Sequence, residues 1–522
     1  MLQLLNKSNK FQKLKATFIG KISEFFLGFN FTKCLISFIF LIISLIASIY
    51  YPGNKIYLVF FDALSFLILL GAMRKNAYFF DIFIAFYLTI GFFLKFNLNT
   101  YLGGLYFRDI ALFASITDVD KSLKVSSIAF IGILFARVIA HYFLPKHLSR
   151  VSLSMNPIYT VYKRNRLAII LLFVSVMLTI NITNIYYGIY TKGGISSANH
   201  IIFNFYKYFI SFGFTFFLLY LLQIELYMKD KFPLIFGSLI FFENMCSSAS
   251  QFSRVMILNS SSILIGIVAH CKAYHINLNI KEIASLFILI FGLFLISFQF
   301  SEINREKYFM SANLIHDAKE FNLPTKLINT NEKKDNLEPI FVKSFIAKHP
   351  HFATLISLVT KRIIGIEGVI AVTSSNQLNW NFFISSVKEK DVRGLSFYDK
   401  YIYNSPYSET DFSKKQFVTL PGFIAYFFYA GSFLFLFLSI TVISLMGYFF
   451  EWFARYISSE NYMIASFVSQ LYVYRLVNFG YIPLNTIQYF LVIFFTLILY
   501  FTFFKFLNYK YCKLSPLDKQ AI

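Results

Sequence analysis

Long, nearly charge-free runs of apolar residues recur along the chain, separated by short segments that carry lysine or arginine. A helix of roughly 20 apolar residues is long enough to cross the ~30 Å hydrocarbon core of a bilayer. The pattern therefore predicts an all-α polytopic membrane protein with about twelve transmembrane helices. The predicted spans are 34–51, 56–73, 77–94, 127–144, 167–187, 208–224, 232–249, 255–270, 283–300, 421–448, 462–477 and 487–504.

Composition supports this class and decides how the charge is interpreted. The 522 residues are 57% hydrophobic and 14% charged, whereas soluble proteins carry about a quarter charged residues. A net charge of +22 in a soluble protein would favour a nucleic-acid partner. Here the lysines and arginines lie between the apolar runs, where the positive-inside rule concentrates them in cytoplasmic loops. We therefore expect membrane lipid, and no nucleic acid, as a partner.

The distribution of charge also predicts topology and domain organisation. The first 30 residues are lysine-rich and contain no apolar core with a cleavage site, so we expect a cytoplasmic N-terminus and no cleaved signal peptide. The predicted division is a membrane bundle of nine helices (1–302), one large periplasmic loop (303–420), and three further helices with a cytoplasmic tail (421–522). The loop contains an apolar, partly helical island at 351–375. The four cysteines have no metal-ligand spacing, and no metal or cofactor is predicted.

Four arginines are expected at the outer face of this topology. A guanidinium group remains charged and donates two parallel hydrogen bonds, which suits a phosphate or diphosphate ligand. For any one of these arginines taken alone, an ordinary interfacial side chain that reaches for water is the favoured interpretation. The four candidates are Arg254, Arg305, Arg362 and Arg475.

Other ionisable residues are candidates because burying a charge in a membrane is costly. Glu243 lies inside a predicted span and is expected to pair with an arginine such as Arg254 or to be protonated. Arg137 shares a helix face with His141 and favours a packing or pairing device. His349 and His351 in the outer loop are candidate general bases, although a loop histidine is more often only solvated.

In the island, Arg362, Gly365, Glu367 and Gly368 fall at near-helical spacing. The two glycines would leave a shallow face that another backbone or a substrate could approach. The alternative is a surface helix that lies on the bilayer with its cations toward the headgroups. The residues alone leave both interpretations open.

Four segments resemble stretches of the bacterial O-antigen polymerases, the oligosaccharide repeat-unit polymerase family. They are the island residues 362–372, the segment 418–431 that contains Pro421 and Gly422, the segment 250–254, and the segment 475–483. The resemblance implies a GT-C-like helical bundle and a metal-independent glycosyltransferase of the bacterial inner membrane. It would transfer a growing glycan from undecaprenyl diphosphate onto an incoming lipid-linked repeat unit.

The resemblance also implies roles for individual residues. Arg254, Arg362 and Arg475 match the family's arginine positions and would bind the diphosphate, and Glu367 or an outer histidine would serve as the base. Partners would be undecaprenyl-diphosphate-linked oligosaccharide and a chain-length regulator. The alternatives are an O-antigen ligase of the same class and a lipid-linked oligosaccharide flippase. A transporter should have repeated halves, and none is visible. An acyltransferase would require a histidine-based site, and the only such pair outside, His316-Asp317, lies well into the loop.

Overall fold

The computed structural model describes residues 31–74, 77–101, 115–145, 156–191, 198–227, 231–253, 255–310, 363–390, 396–403 and 419–514. The described part of the chain is 84% helical and contains no strand, which confirms the all-α prediction. The helices of its first half are α1 (Phe31–Tyr50), α2 (Lys55–Ala72), α3 (Phe79–Tyr101), α4 (Ile116–Phe143), α5 (Asn156–Tyr187), α6 (His200–Leu226), α7 (Leu234–Ser250), α8 (Met256–Ala273) and α9 (Ile280–Met310). Those that follow are α10 (Ile366–Thr373), α11 (Trp380–Val387), α12 (Phe423–Phe427), α13 (Phe433–Ile457), α14 (Tyr462–Val477) and α15 (Pro483–Leu514).

Each of the twelve predicted spans overlaps a helix, and within the described residues ten helices are long and apolar enough to cross a membrane. The chain is therefore a multi-pass membrane protein. The other two, α7 and α14, have 17 and 16 residues, so the count of twelve remains a prediction. Helix α14 is buried along most of its length, and its polar residues Ser466, Ser469 and Gln470 are sheltered by neighbouring helices. A helix in the middle of a bundle does not need a fully apolar surface, because it does not face lipid.

Several predicted boundaries differ from the observed ones, and three of the differences lie at or next to the predicted loop or on its side of the bundle. Helix α4 begins at Ile116, where Ser115 and Asp118 form a capping box, rather than at residue 127. Helix α9 continues to Met310, into the segment assigned to the periplasmic loop. The span predicted from residue 421 begins at Phe433, because the short α12 ends in a 3₁₀ turn and Gly431 then adopts a left-handed conformation (φ +69°).

The helices divide into a central and a peripheral set. Only 11% of the residues in the apolar stretch of α1 are buried, whereas 78% are buried in α6 and 72% in α3. Small residues allow close approach where central helices cross. A Cβ atom on Gly132 of α4 would lie 3.1 Å from the carbonyl oxygen of Phe437 in α13, and one on Gly266 of α8 would lie 2.7 Å from the Cα of Met463 in α14.

The described part of the predicted loop packs against one end of the bundle. We call residues 363–390, 396–403 and 419–432 the loop layer, and this end of the bundle the loop end. The Glu389 carboxylate accepts the backbone N–H groups of Phe397 (2.6 Å) and Ile482 (2.9 Å). The Ser386 hydroxyl donates to the Tyr426 hydroxyl at 3.1 Å. These bonds tie the loop layer to itself and to the segment that connects α14 to α15.

Candidate functional site

Helix α10 forms the centre of the loop layer and is enclosed by protein. All eight of its residues are buried, and Ile366, Val369 and Val372 have no exposed surface. The Thr373 hydroxyl donates to the carbonyl oxygen of Asp118 in α4 at 3.1 Å. The interpretation of this part of the island as a surface helix on the bilayer is therefore wrong. Its apolar side chains are more favourably placed between helices than against headgroups.

The two island glycines allow backbone to approach backbone, as one of the two interpretations expected. A Cβ atom on Gly365 would lie only 1.7 Å from the carbonyl oxygen of Gly91 in α3. At Gly368 it would lie 2.1 Å from the carbonyl oxygen of Pro421. Any larger residue would force these segments apart, so the glycines fix how closely α10 lies on its neighbours.

Pro421 and Gly422 connect α10 to the end of α14. Gly422 has a left-handed backbone (φ +82°), and its N–H donates to the carbonyl oxygen of Phe479 at 3.1 Å. A Cβ atom on Gly480 would lie 2.5 Å from the Pro421 ring. Three of the four segments that carry the family resemblance, those around residues 365–368, 421–422 and 475–483, are thus in direct contact.

Glu367 is held in a buried ion pair with Lys95 of α3. Its Oε1 lies 2.5 Å from the Lys95 ammonium nitrogen, and the side chains are 6% and 1% exposed. The same ammonium donates to the carbonyl oxygen of Ile363 at 2.7 Å. Sequence reasoning missed Lys95, because a lysine directly after a predicted span looks like an interfacial residue. It lies instead inside α3, directly after a π-helical turn at Thr89–Leu94.

Arg475 lies near the end of α14 at the loop end and is half-buried. Its guanidinium stacks on the ring of Tyr489 in α15, with 4.2 Å from the central carbon to the ring centroid. The Tyr190 hydroxyl is close enough to interact electrostatically with both Tyr474 and Tyr489. The Asn184 amide, which donates to the Tyr190 carbonyl oxygen, also donates to that of Ser250, at 2.8 Å. Ser250, the first residue of segment 250–254, is therefore linked through Asn184 to Tyr190, which lies near Tyr474 and Tyr489 beside Arg475.

Glu243 is fully buried in α7 and accepts two hydroxyl hydrogen bonds. The donors are Thr215 at 2.8 Å and Ser247 at 2.7 Å. Among the described residues no lysine, arginine or histidine lies within ion-pair distance of this carboxyl. The proposed pairing with Arg254 stays a prediction, because Arg254 lies outside the described residues.

Several other predicted site residues also lie outside the described residues: Arg362, His349 and His351. Arg305 belongs to α9, but the structure does not describe its side chain. It follows Ser301 by about one helical turn, and the Ser301 hydroxyl is 3.4 Å from the carbonyl oxygen of Ser253. Ser301 of α9 thus contacts the segment that connects α7 to α8, and the backbone of Arg305 follows this contact by about one helical turn.

Arg137 has the pairing role that the sequence favours, with a partner that sequence reasoning missed. Its Nε donates to Asp81 of α3 at 2.6 Å, and its other nitrogens donate to the carbonyl oxygens of Leu67 and Ile68. The Tyr448 hydroxyl also donates to Asp81, at 2.6 Å. Asp81 lies within a predicted span, so the rule that singled out Glu243 and Arg137 would also have identified it.

The chemistry available at the loop end is therefore a half-buried guanidinium, a buried ion pair and a glycine-packed helix. Among the described residues no group of three or more histidine, cysteine, aspartate or glutamate side chains is arranged to hold a metal ion. Comparison of the chain with models of protein families, with curated proteins and with solved structures finds no match.

Proposed function

We propose that this protein is a membrane glycosyltransferase of the O-antigen polymerase type. It would act at the periplasmic face of the bacterial inner membrane, with both termini in the cytoplasm. The observation that supports the proposal is the contact between segments that carry the family resemblance although they are distant in sequence. Gly365 and Gly368, Pro421 and Gly422, and Gly480 form one packed unit.

The proposed reaction joins two lipid-linked saccharides. A hydroxyl oxygen of the incoming repeat unit attacks the anomeric carbon of the growing glycan. The bond from that carbon to the diphosphate oxygen breaks, and undecaprenyl diphosphate leaves with the electron pair. The hydroxyl proton passes to a base, for which the resemblance leaves Glu367, His349 and His351 open.

Arginines would stabilise the leaving group, because negative charge develops on the diphosphate as the bond breaks. Arg475 is the candidate whose surroundings support this role. Its guanidinium is fixed against the Tyr489 ring at the loop end, and a held cation requires little reorganisation when charge develops. Arg254 and Arg362, and Arg305 in α9, would complete the proposed diphosphate site.

The banding pattern of surface polysaccharide from a deletion strain tests this function. Collapse of the ladder to core plus one repeat unit is expected for a polymerase, because flipping and ligation continue. Loss of even the single repeat would indicate a ligase or a flippase instead. An unchanged ladder would remove the protein from this pathway.

Complementation of the same strain tests the residue assignment. The unaltered gene should restore the ladder, and Arg475→Met should restore little of it at equal protein level. A full ladder from Arg475→Met would contradict a role for this arginine in binding the diphosphate. Whether ladder length is also set by a separate chain-length regulator would be visible as a change in the modal length when that partner is absent.

A further inference from the structure

The Lys95 side chain connects α3 to a segment that is distant in sequence. Its ammonium nitrogen lies 2.7 Å from the carbonyl oxygen of Ile363 and 2.5 Å from Oε1 of Glu367, which are 268 and 272 residues further along the chain. The lysine side chain is 1% exposed and the glutamate side chain 6%. One cation therefore holds both the backbone that precedes α10 and a side chain in its first turn.

Close packing on both sides restricts α10 further. Gly365 lies against the carbonyl group of Gly91, one helical turn before Lys95, and Gly368 lies against that of Pro421. At the far end of the helix, Thr373 donates to the carbonyl oxygen of Asp118. Gly91 lies inside the π-helical turn Thr89–Leu94. Such single turns are frequent at functional sites, because the extra residue redirects the helix face that follows.

The electrostatics of Glu367 suit an anchor better than a base. One carboxylate oxygen, Oε1, lies against the Lys95 ammonium, and the residue is 4% exposed. A general base must reach the proton that it removes, directly or through one water. Glu367 is instead enclosed by protein, with Oε1 on the Lys95 ammonium and Oε2 buried.

We infer that Lys95 and Glu367 are positioning residues that fix α10 on the bundle, and that Glu367 is not the proton acceptor of the reaction. The docking of α10 is independent of what the protein catalyses. The link from docking to glycan synthesis rests on the proposed function. Two separate measurements therefore test the two parts.

The first measurement follows docking through the accessibility of one introduced thiol. Ala371 in α10 is 2% exposed, so Ala371→Cys in a variant without Cys34, Cys246, Cys271 and Cys512 reports whether α10 is covered. In permeabilised membranes, a polar maleimide should label this introduced thiol slowly. Lys95→Met should raise the labelling rate at least ~10-fold, because the buried carboxylate loses its only described ion-pair partner.

Two further variants make the result specific. Lys124→Met removes an exposed lysine of α4 at the same end, whose ammonium lies over the Tyr57 ring, and should leave the labelling rate unchanged. The paired change Lys95→Met with Glu367→Met removes both charges and should bring the rate back toward that of the parent, since apolar residues can replace a buried pair. Equal labelling rates for the parent and Lys95→Met would contradict the inference that Lys95 and Glu367 fix α10 on the bundle.

The second measurement asks whether Glu367 also acts as the base. In the deletion strain, Lys95→Met should lose the glycan ladder although the protein is inserted in normal amount, and the paired variant should restore it. A paired variant in which the introduced thiol is protected again, but which makes no ladder, would show that Glu367 does more than anchor α10. If the unaltered gene itself makes no ladder, the proposed function fails while the labelling result on docking still stands.

Discussion

Helix α3 carries a buried ion pair near each of its ends, and the two pairs join it to different kinds of partner. Near its beginning, Asp81 pairs with Arg137 of α4, so two membrane-spanning helices are joined. Near its end, Lys95 pairs with Glu367 of α10, so a spanning helix is joined to the loop layer. All four side chains are at most 6% exposed.

The difference lies in what depends on each pair. Arg137 also donates to the carbonyl oxygens of Leu67 and Ile68, and Asp81 accepts from Tyr448, so this pair connects α2, α3, α4 and α13. Removing it should disturb the whole bundle. The Lys95–Glu367 pair connects one short helix of the loop layer to α3. The first pair therefore stabilises the fold, and the second positions a segment on it.

The largest effect is expected for Arg137→Leu. It leaves Asp81 buried without its cation, and breaking a buried pair in this way costs about 3–5 kcal/mol. Most of the protein should then be lost from membranes or aggregate, as size-exclusion chromatography in detergent would show. Arg164→Leu is the matched control, because Arg164 is exposed and its replacement should leave the protein yield unchanged. Normal yield of the Arg137 variant would place this pair in the same class as Lys95–Glu367.

Gly365→Ala breaks the loop-end contact without changing any charge. The added methyl group would meet the Gly91 carbonyl oxygen at 1.7 Å, and overpacking of this kind costs about 1–3 kcal/mol. We expect normal protein yield, a weakened glycan ladder and, in the Ala371→Cys background, faster maleimide labelling. Gly292→Ala in α9 is the control, since no atom of the described residues lies within 4 Å of its Cβ position. Loss of yield in the Gly365 variant would mean that α10 supports the bundle itself.

The Arg475→Lys variant tests a cation at the loop end that stacks on an aromatic ring, in contrast to the cations of the two buried ion pairs. Lysine keeps the charge but loses the planar group that lies over Tyr489 and the paired donors for a diphosphate. We expect about a tenfold loss of polymer per inserted protein, about 1.4 kcal/mol, with little change in thermal stability in detergent. Tyr489→Phe keeps the ring face and should retain most activity. Full activity of the Arg475→Lys variant would indicate that Arg475 is an ordinary interfacial residue.

The smallest effect is expected for Glu243→Gln. Unlike Asp81, this carboxyl has no described cation within ion-pair distance and is held by the Thr215 and Ser247 hydroxyls. An amide oxygen can accept the same two bonds, so the melting temperature in detergent should fall by an amount that corresponds to about 1 kcal/mol or less. Glu243→Leu, which leaves both hydroxyls without their acceptor, should lower it more. A collapse of Glu243→Gln would indicate that a charge at this position is required.

The sequence predicted the helices well because crossing a bilayer imposes a strong local requirement. Every predicted span overlaps a helix of the described residues, since about 20 apolar residues and a helical backbone are both needed in hydrocarbon. Boundaries were predicted less well where polar residues continue a helix beyond the membrane. The first turns of α4, with Ser115 as the cap, and the extension of α9 to Met310 are examples. Hydropathy contains no information about where such an extension stops.

Of the candidate site, the sequence identified the small residues Gly365, Gly368, Pro421 and Gly422 but not the contacts they make. Lys95 was missed because nothing local distinguishes a lysine that snorkels from one that faces a carboxylate. The same limit applied to Glu367, for which a base and an anchor have the same sequence signature.

The sequence by itself therefore determined an all-α membrane protein, its order of helices and the residues able to carry charge or allow close packing. These properties are local, because each depends on the polarity and size of residues within a turn or a span. Only the tertiary structure decided that α10 is buried, that Lys95 meets Glu367, and that Asp81 meets Arg137. Those facts depend on which helices become neighbours, and neighbours here are separated by 56 to 272 residues of chain.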